Sequence, residues 1–319
     1  MKTVLIIFLG LSSISSLSQI NQQKNKTEAG VCVDCDKKNV EEIKGSNGSQ
    51  RFLPLKDFIQ KNSKISDESK TMIKNFTNAG LICDETNPSR GDRAVECKGI
   101  VLPYEKTVRI YIPRNLKNSK QISKANYFFH GFKSNQTFEK NINDLNGAGD
   151  FAGIVEKSKS ENSILIVPES DGQCTDYKKI INNSKVFTDL QAEIERKSGA
   201  QFLQNTLSGH SGAYLTIDAL LKNSEIRKKI KSIALFDSIY DSQTSLPGVR
   251  SWLELSTQNK IKISYVTGSQ ESTRLQTQKF LSRTVKNENQ INVQTLNSLA
   301  AGAHMSAMQK GGFSDFLKD

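Results

Sequence analysis

The segment from Gln204 to Tyr214 reads QNTLSGHSGAY: an apolar run enters Gly209-His210-Ser211-Gly212-Ala213, and a helical pattern continues from Ala213 to Leu221. A serine on so sharp a strand-to-helix turn presents its Oγ at the apex, and small residues two before and two after it relieve the crowding there. The small-x-Ser-x-small pattern is common by itself, so its weight comes from the strand before and the helix after. The chemistry this arrangement suits is nucleophilic acyl transfer, in which a neighbouring imidazole takes the serine proton and a carboxylate orients that imidazole. The chain contains three histidines, His130, His210 and His304. Asp237 directly follows the apolar run Ile233 to Phe236, and Glu271 lies several residues beyond the run Ile261 to Val266. Asp241 and Glu169 read as solvated or loop-capping groups.

These residues need a scaffold that brings distant segments together. Short, β-rich runs bounded by turn residues occur at Leu81–Cys83, Ala94–Leu102, Val108–Ile112, Tyr127–Phe129, Ile164–Val167, Phe202–Leu207, Ile233–Phe236, Ile261–Val266 and Ile291–Leu296. From Val108 onward, most are separated by segments long enough for helices. Near-continuous apolar strands alternating with helices predict an α/β three-layer sandwich with a mostly parallel central sheet. In such sheets, reactive groups collect at the carboxyl ends of the strands.

Tyr127-Phe128-Phe129-His130-Gly131-Phe132 is a second informative strand end. The order is a strand with His130-Gly131, then, about 80 residues later, a strand with Gly209-x-Ser211-x-Ala213 and a helix, then an acid, then the late His304. This order resembles the α/β-hydrolase superfamily. The resemblance implies Ser211 as nucleophile and an oxyanion hole made by the backbone N–H groups of Phe132 and Gly212, with His130 ordering the loop. Two such donors aimed at a developing oxyanion supply much of the transition-state stabilisation in acyl transfer. With His130 and His210 placed in the oxyanion and elbow motifs, His304 in Ala301-Gly302-Ala303-His304 is the base. Asp237 is the preferred acid, because it caps an apolar strand directly and a superfamily variant carries its acid at that point. Glu271, at the commoner superfamily position, is the alternative. The resemblance identifies a superfamily and leaves the substrate open. The connection after the Asp237 strand is too short for the large cap often inserted there, which implies an open site. Trp252 within it reads as a core residue, with a substrate-facing aromatic wall as the alternative.

The N-terminus carries Lys2, an apolar stretch Val4–Leu11 and a small-x-small site at Ser16-Leu17-Ser18, the pattern of an export signal cleaved before Gln19. Domain boundaries follow: 1–18 signal peptide, 19–50 flexible polar linker, 51–100 N-terminal helical and hairpin extension, 101–319 catalytic domain. The expected location is periplasmic or secreted. No later stretch is long and apolar enough to span a bilayer. Export permits disulfides, and Cys83 and Cys97 flank a turn-rich segment suited to a bridged hairpin. Cys32, Cys35 and Cys174 remain without a defined pairing.

The net charge of +11 is dispersed among Asn, Ser and Gln. That argues against nucleic acid as a partner and suits weak binding to anionic envelope surfaces. Three dispersed histidines and one isolated C-x-x-C give no metal site, and no cofactor is expected. The expected function is an exported serine hydrolase cleaving an ester, amide or peptide bond. The competing class is a non-catalytic envelope-binding protein on the same scaffold.

Overall fold

The computed structural model describes residues 65–85, 94–131, 151–170, 177–240, 246–267, 271–284, 288–297 and 307–318. Within them, β1 (Ile82–Glu85), β2 (Val95–Val101), β3 (Lys106–Ile112), β4 (Lys124–Phe129), β5 (Ser163–Pro168), β6 (Asn205–His210), β7 (Ile230–Phe236), β8 (Lys260–Val266) and β9 (Ile291–Leu296) form one sheet. Their spatial order is β1-β2-β3-β5-β4-β6-β7-β8-β9. The first three join by antiparallel pairing, with β3 antiparallel to β5. All remaining pairs are parallel.

The expected three-layer sandwich is present, and its two cores follow from the period-2 alternation of the strands. Ile110, Tyr127, Phe129, Ile166, Leu207, Ile233 and Leu235 point to one face. There they bury Met72, Ile73 and Phe76 of α1 (Asp67–Asn78), Phe187 of α4 (Ser184–Ser198), Ile217 of α5 (Tyr214–Lys222) and Trp252 of α7 (Pro247–Leu255). Tyr111, Phe128, Leu165, Ala234 and Phe236 point to the other face, against Phe151 and Ile154 of α2 (Phe151–Ser158) and Phe313 of α10 (Phe313–Phe316). Between α2 and α4 lies the short α3 (Lys178–Asn182); α6 (Ser224–Lys229) follows α5; α8 (Glu271–Thr284) follows β8; and α9 (Ala307–Lys310) precedes α10.

Trp252 is fully buried and its indole N–H donates to the Ile230 carbonyl at 2.9 Å, so it is a core residue. Among the described residues, the β7–β8 connection holds only α7, packed along α5, and no cap domain. Glu169 closes a loop: its carboxylate accepts from the Thr107 N–H at 3.3 Å. Asp241 lies outside the described residues.

Cys83 and Cys97 sit opposite each other in the β1–β2 register and are joined by a disulfide. The hairpin is part of the main sheet, since β2 pairs along its whole length with β3. One strand differs from its expected bounds. Phe202 belongs to a separate two-stranded ladder, Gln201–Phe202 with Gln121–Ile122, and β6 begins at Asn205. Between them Leu203 is half exposed and its N–H donates to the Ile122 carbonyl, so the chain changes partners there. Cys32, Cys35, Cys174, the export signal and the linker lie outside the described residues.

Candidate active site

Strand register alone aligns the motifs. Phe129 of β4 pairs with Gly209 of β6, and His210 of β6 pairs with Phe236 of β7. One or two steps past those pairs, at the carboxyl ends of three adjacent parallel strands, the chain presents Gly131, Ser211 and Asp237. Residues 80, 106 and 26 positions apart in sequence need no further contacts to become neighbours; parallel pairing does it.

Ser211 has φ +56, in the left-handed region. A non-glycine residue there is strained, and such strain concentrates at functional positions. Ser211–Ala213 form a single 3-10 turn that leads directly into α5. The flanking small residues have a measurable reason. A Cβ on Gly209 would lie 2.7 Å from the Ala213 Cβ and 3.0 Å from Ile217 Cδ1, so the positions two before and two after the serine press on each other.

Gly131 is equally constrained. A Cβ there would lie 2.3 Å from Ser211 Cβ and 3.0 Å from Ser211 Oγ. The His130-Gly131 backbone therefore passes directly against the serine, which is where a backbone oxyanion donor must run. Tyr177 holds this turn in place: its hydroxyl accepts from the His130 N–H at 3.0 Å, and its ring meets those of Phe129 and His130 at 4.9 and 5.5 Å. The His130 ring is buried, with Nδ1 2.9 Å from the Gly131 carbonyl oxygen. Gly131→Ala is expected to lower the rate of labelling by a serine-directed probe by about 10²-fold, the scale of a displacement of roughly 1 Å at a reacting group. The same clash should lower the melting temperature by several degrees, the scale of an overpacking cost of about 1–3 kcal/mol, which a parallel thermal denaturation checks.

Asp237 also has positive φ, +43, and is fully buried. Its N–H donates to the Ser264 carbonyl at 2.6 Å, and its Oδ1 accepts from the Val266 N–H at 3.2 Å. The carboxyl is thus locked between the ends of β7 and β8. Glu271 is the first residue of α8, and its side chain lies outside the described residues.

The two residues after Asp237 that face the same way grip the serine. Ser238 donates its hydroxyl to the Ser211 carbonyl, and Ser211 Oγ donates to the Tyr240 hydroxyl at 3.4 Å. Ile239 between them is buried in the core. Burial pushes the Tyr240 phenol well above its ordinary value; the hydrogen bond with Ser211 opposes this, and the nearby Asp237 and Tyr214 add to it. The phenol therefore keeps its proton at neutral pH. Tyr177, Ser238 and Tyr240 carry no spacing signal in the sequence. Only the proximity of Ser238 and Tyr240 to Asp237 could have drawn attention to them.

The structure thus brings together Ser211, Gly212, Asp237 and the turn preceding Phe132. Gly212 is half-buried at the second position of the 3-10 turn, where backbone N–H groups at a helix start are available to an anion. Phe132 and His304 lie outside the described residues. No group of His, Cys, Asp and Glu suited to a metal occurs among the described residues.

No protein-family model matches the sequence, and no curated protein matches it either. Solved structures do match in three dimensions. A mutant of the feruloyl esterase module of Clostridium thermocellum, complexed with sinapinate, superposes with a TM-score of 0.51 at 9% identity, covering 73% of this chain and 89% of that one. An S-formylglutathione hydrolase of Agrobacterium tumefaciens covers 75% of this chain and 99% of its own at 10% identity, with a TM-score of 0.48. A fluorophosphonate-binding serine hydrolase of Staphylococcus aureus covers 72% and 100% at 14% identity, with a TM-score of 0.46. At such identities the likeness is one of fold. The feruloyl esterase match, together with the sheet order, establishes the α/β-hydrolase fold.

Proposed function

We propose that this chain, built on the α/β-hydrolase fold, is an exported serine hydrolase that cleaves an ester, or an amide or peptide bond, through an acyl-enzyme. The observation that carries the reading is Ser211 held at φ +56 on the turn from β6 to the helix, against the Gly131 backbone and beside the buried Asp237. In the proposed cycle His304 takes the Ser211 proton as Oγ attacks the substrate carbonyl. Asp237 orients the imidazole and stabilises its charged form, and the Phe132 and Gly212 N–H groups receive the oxyanion. His304 then protonates the leaving group, and water releases the acyl group by the same steps in reverse order of roles. The order Ser211, Asp237, His304 along the chain favours this reading over a non-catalytic envelope-binding role.

A single helix in the described β7–β8 connection supports an open site, suited to a bulky or polymeric substrate. The export pattern of residues 1–18 and the polar character of 19–50 support a catalytic domain delivered to the periplasm or outside the cell. Without Lys2 of the cleaved signal the chain keeps a net charge of +10 (43 − 33), which would favour weak adhesion to anionic envelope polymers there.

The test is covalent. A fluorophosphonate probe is expected to label the purified protein at Ser211, and a panel of p-nitrophenyl esters beside peptide p-nitroanilides should reveal which bond class is turned over. Labelling that persists unchanged in Ser211→Ala would overturn the assignment, and no labelling together with no turnover would favour the binding reading.

A further inference from the structure

The segment that follows β7 meets the nucleophile twice. Ser238 donates to the Ser211 backbone carbonyl, and the Tyr240 hydroxyl accepts from Ser211 Oγ at 3.4 Å, while Ile239 anchors the stretch in the core. One short segment just beyond β7 thus holds both the main chain and the reactive oxygen of the serine. The Tyr240 ring is itself seated, with its centroid 6.4 Å from that of Tyr214 at the start of α5. A separation of 3.4 Å is long for a bond between hydroxyls, and catalytic contacts of this kind tighten when substrate orders the site.

We propose that Tyr240 is a catalytic hydrogen-bond partner of Ser211 Oγ, accepting a hydrogen bond from its hydroxyl in the resting enzyme and donating one to the same oxygen when it departs from the acyl-enzyme. This rests on Ser211 being the nucleophile of the proposed hydrolase. A phenol hydroxyl both accepts and donates, and its hydrogen turns about the C–O bond at little cost. In the free enzyme Ser211 Oγ carries a hydrogen, so Tyr240 is the acceptor. During acylation that proton passes to His304, and Oγ forms its bond to the acyl carbon as the leaving group departs. During deacylation water adds to the acyl carbon, giving its proton to His304. The bond between the acyl carbon and Oγ then breaks, and Oγ takes the proton back from His304. As that bond breaks, negative charge grows on Oγ, and the Tyr240 O–H, now directed at it, stabilises the charge without giving up its own proton. The benefit is concentrated in deacylation, because only there does Oγ leave.

Tyr240→Phe keeps the ring and removes the hydroxyl alone. With p-nitrophenyl acetate the expected result is a fall in kcat of about tenfold, the scale of one hydrogen bond to a group gaining charge. KM should fall with it, so that kcat/KM, which reports acylation, changes much less. Stopped-flow traces of the variant should show a burst approaching one equivalent of p-nitrophenol followed by a slow phase, and electrospray mass spectrometry should catch the acetylated protein. Fluorophosphonate labelling at Ser211 should persist, and the melting temperature should match the wild type. Unchanged kinetics, or equal falls in kcat and kcat/KM with no added burst, would overturn the proposal, as would a lowered melting transition that accounts for the lost activity. The parent reading fails separately, if the wild type is not labelled at Ser211.

Discussion

Replacing Ser211 with alanine is expected to lower kcat by about 10⁶-fold, the loss seen when the nucleophile of a serine triad is removed. The substitution deletes one oxygen and introduces no new atom. Alanine meets the same strain at φ +56 as serine, so the turn has no added reason to change shape. The oxygen's one described hydrogen bond is the long contact to Tyr240, and the residue is half-buried, so stability should shift by no more than roughly 1 kcal/mol. A residual rate about 10³-fold above water is expected to survive, because the oxyanion donors proposed at Gly212 and Phe132 would still polarise a bound carbonyl. The measurement is steady-state hydrolysis of the best p-nitrophenyl substrate, beside thermal denaturation of both proteins. Retention of more than about a hundredth of the wild-type rate, far above that residue, would place the nucleophile elsewhere.

The second large effect separates the two acids. Asp237→Asn is expected to lower kcat about 10⁴-fold, whereas Glu271→Gln should stay within a few-fold of wild type. The Asp237 carboxyl is fully buried and accepts from the Val266 N–H at 3.2 Å. An asparagine can keep that bond through its own oxygen, so the fold should survive. Its amide group, however, would offer a donor where the imidazole needs an acceptor, which selects the wrong tautomer of the base. Kinetics of both variants at one pH, with circular dichroism to confirm folding, decide between them. A large loss in Glu271→Gln with near-normal Asp237→Asn would transfer the role to Glu271 and leave Asp237 as a structural link between β7 and β8.

Tyr240 and Gly131 show where such effects become unreadable from sequence. Gly131 carries a visible signal, because a His-Gly pair ends an apolar strand and glycine is the residue that lets another chain approach closely. What approaches it, Ser211 Cβ, is a matter of the Phe129–Gly209 register. Tyr240 carries no such signal. A tyrosine three residues past a strand has many roles, and only the placement of β7 beside β6 turns its hydroxyl toward Ser211. Tyr177 is further removed still, reaching the His130 turn from the residue before α3.

The elements that were legible share a local cause. Apolar runs such as Ile164–Val167 and Ile261–Val266 declare buried strands, because a strand covered on both faces has no polar side. The Gly209-x-Ser211-x-Ala213 spacing declares a crowded turn, because the Gly209 and Ala213 positions touch. The Cys83–Cys97 bridge was readable from a hairpin whose two arms are close in sequence. Local sterics and hydrophobic period thus belong to the sequence by itself: the α/β alternation, the crowded serine turn and the strand ends where chemistry collects. The partners of those ends were decided only in three dimensions. The order β4-β6-β7-β8 sets Gly131, Ser211 and Asp237 side by side, locks the Asp237 carboxyl onto β8 and lays Tyr240 against Ser211. The physical reason is that a strand's apolar pattern specifies which face is buried but not which neighbour lies alongside. Hydrogen bonding between backbones is indifferent to side-chain identity, so the neighbour is chosen by the packing of the whole sheet.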